Sequence, residues 1–291
     1  MVREGLLSKA LGRLMSRAAV AVGPHVVESL QTLFPPGVLP NAVGGVALSP
    51  ELRSKLENVA QTSVCKYPAR SGPGPNGSRF EHWGTARADQ DALEEVGFLM
   101  VRFLMNEVPE DFLSANLGAR LIALRKPNGK IRPIACGSVL RRIAAKTACT
   151  VFRNEIKAAC GPHQYAVGKQ AGCEHVHKTV TALSSADPSL VFLAFDASNA
   201  FNTIPRQAVL NAIGHRLPEL STVVNAWLGQ ATTHMYWGSE GGCGSAVKAT
   251  SGVDQGCPLS PALFAIGIAD ALTTISTRLR ELDPARGFFL T

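Results

Sequence analysis

One carboxylate, Asp196, stands at the end of a short apolar run that begins at Val191, and an aromatic residue, Phe201, follows it in the chain. The run is rich in Val, Phe and Leu, which predicts a β-strand, and Pro205 marks the start of a helix behind it. A strand is rigid and the loop after it is open, so a carboxylate at this point is well placed to hold a hard cation. The pattern therefore indicates a candidate cation site at Asp196.

Three cations are brought together by a predicted hairpin. Two strand-like segments flank the dipeptide Asn128-Gly129, which is a strong signal for a two-residue turn. With that turn, Arg125 pairs across from Arg132, and Lys130 lies on the same face. Like charges directly opposite each other destabilise a sheet unless an anion lies between them, so the hairpin predicts a polyphosphate site. The alternative is a solvated basic face, and a register slip of one residue would separate the cations.

A glycine-punctuated turn, Gln255-Gly256, precedes a predicted buried helix. Ser260 is a favoured N-cap residue and Pro261 a favoured first helical residue. The helix that follows is apolar on all sides up to Asp270, which is typical of a buried helix. Because glycine has no side chain, such a turn lets the backbone approach a base or a sugar closely.

The elements that position these residues form two parts. Segments rich in Pro and Gly at 34–50 and 68–78 separate short helical stretches, so residues 1–84 are predicted to form a helical arm and linker that packs against something else and is not a self-contained domain. Residues 85–291 carry both helical and strand patterns, and the expected fold is α/β (α+β), a mixed sheet with packed helices. Helices are predicted at 89–107, 138–160 (with Arg141 on its polar side), 172–186, 205–216, 218–230 and 262–272, and a second hairpin at 232–237 and 246–253.

The bulk composition is that of a folded protein with a moderate basic bias. The 291 residues carry a formal net charge of +7, which suits a polyanionic partner. The seven cysteines are scattered without a CxxC pair, so we expect an intracellular, reducing environment instead of a disulfide framework. No run of apolar residues is long enough to cross a membrane without a charge, so no membrane partner is expected. The basic, apolar pattern of residues 2–22 fits a targeting helix or an ordinary amphipathic surface helix.

Three segments together resemble the fingers and palm of reverse transcriptases of the non-LTR retrotransposon and group II intron type. The segment LRKPNGKIRPI is similar to the fingers hairpin of that family, FDASNAFNTIPR to its motif A and GVDQGCPLSPALFAI to its motif B. They occur in the family's order, and the resemblance runs from roughly residue 93 to residue 282. It implies RNA-templated polymerisation of dNTPs on a DNA primer by two-metal phosphoryl transfer.

The resemblance implies a metal site and a sugar gate. Asp196, helped by the backbone carbonyl of Ala197, would bind the catalytic Mg²⁺ (or Mn²⁺) ions. Phe201 would be the steric gate that excludes a 2′-hydroxyl and so selects a dNTP. RNA-dependent RNA polymerases typically place a second acidic residue near this position, so the aromatic residue favours DNA synthesis.

The resemblance also implies contacts to the incoming nucleotide. Arg125, Lys130 and Arg132 would hold its triphosphate, with Arg132 as the principal ligand. Gln255 and Gly256 would contact the incoming nucleotide and the template. The expected partners are therefore an RNA template, a DNA primer and a dNTP.

One departure from the family bears on activity. The palm of the family completes its metal site with an adjacent pair of aspartates after motif B, and this sequence has no Asp-Asp dipeptide. Asp270 cannot replace the pair, because it lies inside the predicted motif B helix. The expectation is therefore a fingers and partial palm that ends before the aspartate pair and is inactive alone. The alternative is a non-catalytic, nucleic-acid-binding remnant of a retroelement.

Overall fold

The computed structural model describes residues 23–66, 71–238 and 244–282, so the predicted helix at 2–22 lies outside the described residues. Most of the described chain is helical, with short 3₁₀ turns at Gly84–Ala88 and Pro218–Leu220. The α-helices are α1 (Pro24–Leu33), α2 (Pro50–Lys66), α3 (Phe80–Trp83), α4 (Gln90–Leu104), α5 (Glu110–Leu117), α6 (Val139–Val151), α7 (Arg153–Ala159), α8 (Gly172–Ala186), α9 (Ala200–Thr203), α10 (Arg206–Arg216), α11 (Ser221–Leu228) and α12 (Ser260–Leu282).

Four strands form one mixed sheet in the described part of the chain. They are β1 (Ala119–Arg125), β2 (Ile131–Gly137), β3 (Thr232–Tyr236) and β4 (Ser245–Ala249). The order across the sheet is β2-β1-β3-β4; the two hairpins are antiparallel, and β1 joins β3 in parallel. The predicted α/β (α+β) class, with a mixed sheet and packed helices, is confirmed.

The turn between β1 and β2 has three residues instead of the predicted two. The Lys126 N–H donates to the Lys130 carbonyl at 2.7 Å, and the Gly129 N–H donates to the Lys126 carbonyl at 2.9 Å. Gly129 has a φ of +80°, the left-handed conformation that closes a three-residue hairpin loop. Asn128 therefore lies within a longer loop, which shifts every cross-strand pair by one residue.

This shift corrects the predicted pairing of the two arginines. Arg125 pairs with Ile131, and Leu124 pairs with Arg132. Since residues that pair across a ladder share a face and neighbours along a strand alternate, Arg125 and Arg132 lie on opposite faces of the sheet. The predicted facing arrangement of these cations is wrong, because the turn type sets the register.

Helix α1 covers one face of the sheet, and a larger helical core lies beside it. Apolar residues of α1 and Phe34 form the small core with the strands: Val26, Leu30, Phe34, Ala119, Leu121, Ala123, Ala135, Tyr236, Val247 and Ala249. In the larger core, α2 packs on α4 and α6, and α10 packs on α12. Phe103 and Trp227 meet there, with ring centroids 5.7 Å apart. The described segments of the predicted arm thus pack directly against the remaining chain.

The predicted strand before Asp196 is absent from the described structure. Residues 190–197 have no regular secondary structure. Val191 is 82% exposed and Phe195 is 91% exposed, so the apolar run is uncovered in this part of the chain. The prediction was wrong because a high β-propensity forms a strand only where another strand pairs with it, and neither edge of the described sheet does.

The predicted helix at 138–160 is divided at Phe152. Helix α6 ends at Val151 and α7 begins at Arg153, and Gly161, with a φ of +75°, ends the second helix as predicted. Arg141 of α6 is only 4% exposed, so its predicted place on the polar side is also wrong. The side chain points into the interior, where it pairs with Asp254.

Helix α12 extends further than predicted and is the one described helix with the length and apolarity of a membrane span. A core helix of a soluble protein passes the same test. The buried residues of α12 in the main core are Ala262, Leu263, Ala265 and Ile266.

Candidate active site

The segment after Asp196 and the segment before Gln255 are joined by backbone hydrogen bonds. The Val253 N–H donates to the Phe201 carbonyl at 2.7 Å, and the Gly252 N–H donates to the Ile204 carbonyl at 3.0 Å. Gly252 has a φ of +67°, and a Cβ there would lie 2.3 Å from the backbone carbonyl carbon of Asn202. Only glycine therefore permits this close approach.

The predicted nucleotide turn lies between that segment and the fingers hairpin. The Gln255 side-chain amide donates to Oδ1 of the buried Asn202 at 3.3 Å, and the Gln255 carbonyl accepts from the Ala135 N–H of β2 at 2.6 Å. Gly256 has a φ of +123°, and a Cβ at this position would lie 2.6 Å from the Ala135 carbonyl oxygen. The structure thus brings three predicted motifs, the hairpin, motif A and motif B, to one place.

Arg132, and not Arg125, lies on the side of the hairpin that faces this turn. The Cγ2 atom of Ile134 would lie 3.4 Å from a Cβ on Gly256. Arg132 is two residues before Ile134 on β2 and so shares its face. Arg125 points to the opposite face, together with Ile131.

The Phe201 side chain is half-buried and is supported by a second aromatic ring. Its ring stacks on Phe264 of α12, with centroids 5.0 Å apart and an interplanar angle of 5°. An aromatic ring held in this way has little freedom to move aside, which is what a steric gate requires. Its backbone carbonyl is the one bonded to Val253, so the ring position is coupled to the turn.

Asp196 and Ala197 lie at the end of the exposed run, outside these contacts. The Asp196 side chain is exposed and forms no hydrogen bond or ion pair with another described residue. The chain is anchored just beyond it by Asn199, which has a φ of +55° and whose Nδ2 donates to the Leu33 carbonyl at 2.8 Å. With respect to the described residues, the carboxylate is therefore open to a ligand, and the backbone is held three residues beyond it.

The donor set only partly fits the metal centre that the family resemblance implies. A free carboxylate and a neighbouring carbonyl oxygen are ligands that Mg²⁺ accepts. A two-metal centre needs further carboxylates, and the described ranges contain no group of three or more His, Cys, Asp or Glu side chains that could hold a metal ion. Asp196 and Ala197 fit as part of such a centre and do not complete it.

A buried ion pair that the sequence did not reveal holds the nucleotide turn. Asp254, next to Gln255, is 6% exposed, and its Oδ2 accepts from Nη1 of Arg141 at 2.8 Å. The same nitrogen donates to the Leu117 carbonyl at 2.7 Å, and the guanidinium lies over the Trp227 ring at 5.4 Å. The carboxylate thereby fixes the turn to α6.

His234 of β3 completes this network. Its Nδ1 accepts from the Ala119 N–H at 3.1 Å, so the ring carries its proton on Nε2, which donates to Oδ1 of Asp254 at 2.9 Å. Burial acts to raise the pKa of Asp254, but its contacts with His234 and Arg141 outweigh burial and hold that pKa well below its ordinary value. Asp254 is therefore a charged group that links β1, β3 and α6 to the turn.

A second buried arginine, Arg206, supports the other end of the same loop. Its guanidinium donates to the carbonyls of Gly252, Leu228, Gln230 and Ala249. Burial lowers the pKa of Arg206 to about 10. Each donor nitrogen of the guanidinium meets a carbonyl oxygen. Arg206 therefore provides hydrogen-bond donors to the last carbonyl groups of α11 and β4, and it also fixes Gly252.

The sequence carried one usable signal for this network. Arg141 lies at helical spacing from Ala144, Ala145 and Ala148, which are all buried, so it belongs to the apolar side of α6. A charged residue on such a side implies a buried partner of opposite charge. Nothing local identifies that partner as Asp254.

Two comparisons with known proteins agree with the geometry. A model of the family described as reverse transcriptase (RNA-dependent DNA polymerase) matches residues 124–286. The chain is 27% identical, over 235 residues, to the retrotransposable element SLACS 132 kDa protein of Trypanosoma brucei gambiense. That match covers 80% of this chain and 19% of the relative, so the chain spans about a fifth of the relative's length. With the family model covering more than half of its residues, the chain belongs to the reverse transcriptase (RNA-dependent DNA polymerase) family.

Proposed function

We propose that this chain forms the nucleotide-binding part, the fingers and a partial palm, of a reverse transcriptase that extends a DNA primer on an RNA template. The observation that supports this most directly is the position of the Gln255-Gly256 turn, which is bonded both to the Phe201 segment and to the hairpin strand that carries Arg132. The name of the relative, a retrotransposable element protein, supports an element of that type.

In this proposal each group has a separate task. Arg132 holds the triphosphate of the incoming dNTP, because a fixed guanidinium pairs well with phosphate oxygens. The Phe201 ring occupies the space that a 2′-hydroxyl would need. The backbone of Gln255 and Gly256 contacts the nucleotide and the template. The triphosphate role predicted for Lys130 stays a prediction, and the register removes the geometric support for that of Arg125.

Asp196 and the Ala197 carbonyl would serve as ligands of Mg²⁺ (or Mn²⁺). A divalent ion of this kind, when bound, neutralises the developing charge of phosphoryl transfer. The described ranges contain no group of three or more His, Cys, Asp or Glu side chains that could hold a metal ion, and a two-metal centre needs further carboxylates beside Asp196. We therefore propose that the 291-residue polypeptide binds nucleotide, template and primer without catalysing addition of the nucleotide to the primer.

A primer-extension assay tests this proposal. With poly(rA)/oligo(dT), dTTP and Mg²⁺, the isolated polypeptide should give no incorporation, while dTTP should still bind to the protein–template–primer complex. Incorporation that disappears in Asp196→Ala would show that the polypeptide has a complete metal centre. Binding of nucleic acid with no binding of dTTP would instead support the alternative, a non-catalytic nucleic-acid-binding remnant.

A further inference from the structure

A groove separates the hairpin turn from helix α1. It has a volume of about 320 Å³. Its lining consists of His25, Ser29, Arg125, Gly129, Lys130 and Ile131. The hairpin thus contributes two cations, and the first turns of α1 contribute an imidazole and a hydroxyl.

Among the described residues, the two cations of the groove have no counter-charge. Arg125 and Lys130 are both exposed, and across the described ranges neither side chain forms an ion pair or a hydrogen bond. Glu28 of α1 is exposed and does not line the groove. Two positive groups beside hydrogen-bond donors can bind an anion. The N-terminal end of α1 carries a partial positive charge, which adds to the positive electrostatic field of the groove.

This groove is distinct from the proposed triphosphate site. Arg132 and Ile134 share the face of β2 that meets Gly256, whereas Arg125 and Ile131 share the other face, towards α1. The thickness of the sheet therefore lies between Arg125 and Arg132. A dNTP held by Arg132 does not occupy the space in front of Arg125.

The size and openness of the groove select the kind of anion. Its volume is at the low end of the range of ligand pockets, about 300–1,000 Å³, so it accepts one nucleotide unit but not a duplex. His25, Arg125, Gly129 and Lys130 are exposed at the surface, so a nucleic-acid strand can enter and leave the groove. The half-buried Ile131 offers an apolar surface beside the cations, against which a sugar or base can rest.

We propose that this groove binds a backbone phosphate of single-stranded nucleic acid, with Arg125 and Lys130 as the charged ligands and His25 and Ser29 as additional donors. The proposal rests on the proposed function only for the choice of nucleic acid as the ligand. It places the binding of a single strand on the face of the fingers hairpin opposite to the triphosphate.

The test is the affinity of a fluorescein-labelled oligo(rU) single strand for the whole polypeptide, measured by anisotropy over a series of salt concentrations without nucleotide. Arg125→Ala is expected to weaken binding roughly 5- to 10-fold at low salt and to reduce the salt slope by about 0.7 for each phosphate that the variant no longer neutralises. Lys130→Ala should act in the same direction. The control Arg87→Ala removes an equally exposed arginine elsewhere and should leave both quantities unchanged.

Two results would overturn the proposal. The first is equal affinity of Arg125→Ala and wild type, whether or not Arg132→Ala binds more weakly. The second is an equal Arg125-dependent weakening for the strand annealed to oligo(rA). Urea unfolding of each variant separates loss of binding from loss of fold. The oligo(rU) measurement contains no dTTP, so it does not depend on the proposed dTTP site. A failure of the proposed function would appear only in the separate measurement of dTTP binding.

Discussion

Replacing Asp254 with alanine is expected to lower the free energy of unfolding by about 3–5 kcal/mol. The substitution leaves the buried guanidinium of Arg141 without its counter-charge and removes the acceptor of the His234 Nε2–H. It also frees the backbone next to Gln255. Urea denaturation, with the same slope for wild type and variant, measures the change directly.

The matched control is Asp270→Ala. Asp270 also pairs with an arginine, Arg216, but its side chain is 55% exposed, and such surface pairs contribute about 0–1 kcal/mol. A loss of stability at Asp254 no larger than at Asp270 would contradict the assignment of the Asp254 network as a buried anchor.

The same network predicts how stability depends on pH. The pKa of Asp254 is lower in the folded chain than in the unfolded chain, so its contribution is fully present above the unfolded pKa of about 3.9 and is lost as pH falls towards the folded pKa. The wild type should therefore lose unfolding free energy as the pH is lowered below about 4. Asp254→Asn should show a smaller loss over the same range, and equal slopes would contradict the depressed pKa.

Gly252→Ala is expected to cost about 2–5 kcal/mol, the sum of a left-handed backbone and a steric overlap. A Cβ at Gly252 would lie 2.3 Å from one backbone atom of Asn202, and no side-chain rotation relieves contact with backbone. The loop must therefore move away from Phe201, which separates the two halves of the proposed nucleotide site. Urea denaturation gives the energy, and dTTP binding reports the displacement.

Gly129→Ala separates the two contributions. Gly129 also has a positive φ, of +80°, but a Cβ there would meet no atom within 4 Å. Only the backbone cost of about 1–2 kcal/mol is expected. If both alanine variants lose the same stability, the close approach at Gly252 is not a constraint on the fold.

Local patterns predicted many elements of the fold. Helix α8 has the predicted bounds, 172–186, and Pro188, two residues beyond its last residue, is a local signal for its end. Both hairpins were predicted, since turn residues between strand-like segments are also a local signal. The family resemblance predicted that the hairpin lies beside the Phe201 and Gln255 segments. In the structure, Gln255 is hydrogen-bonded to Ala135 of the hairpin and to Asn202, which follows Phe201.

The failures concern a choice between two local turn types and contacts between residues far apart in the chain. The hairpin register depends on whether Gly129 closes a two-residue or a three-residue loop, and the dipeptide Asn128-Gly129 occurs in both. The run before Asp196 has strand propensity without a strand to pair with among the described residues. Arg141 and Asp254 are far apart in sequence, so their pairing depends on how α6 and the turn pack together.

The central claim is that the Gln255-Gly256 turn, Phe201 and Arg132 form one site for an incoming dNTP. Equilibrium binding of dTTP to the polypeptide, in the presence of saturating poly(rA)/oligo(dT), tests it most directly. We expect saturable binding that is weakened about tenfold in Arg132→Ala, which removes one charge-assisted hydrogen-bonding group, and unchanged in the exposed control Arg87→Ala. Binding of equal strength in Arg132→Ala and wild type, or no binding of dTTP to the wild type, would contradict the claim.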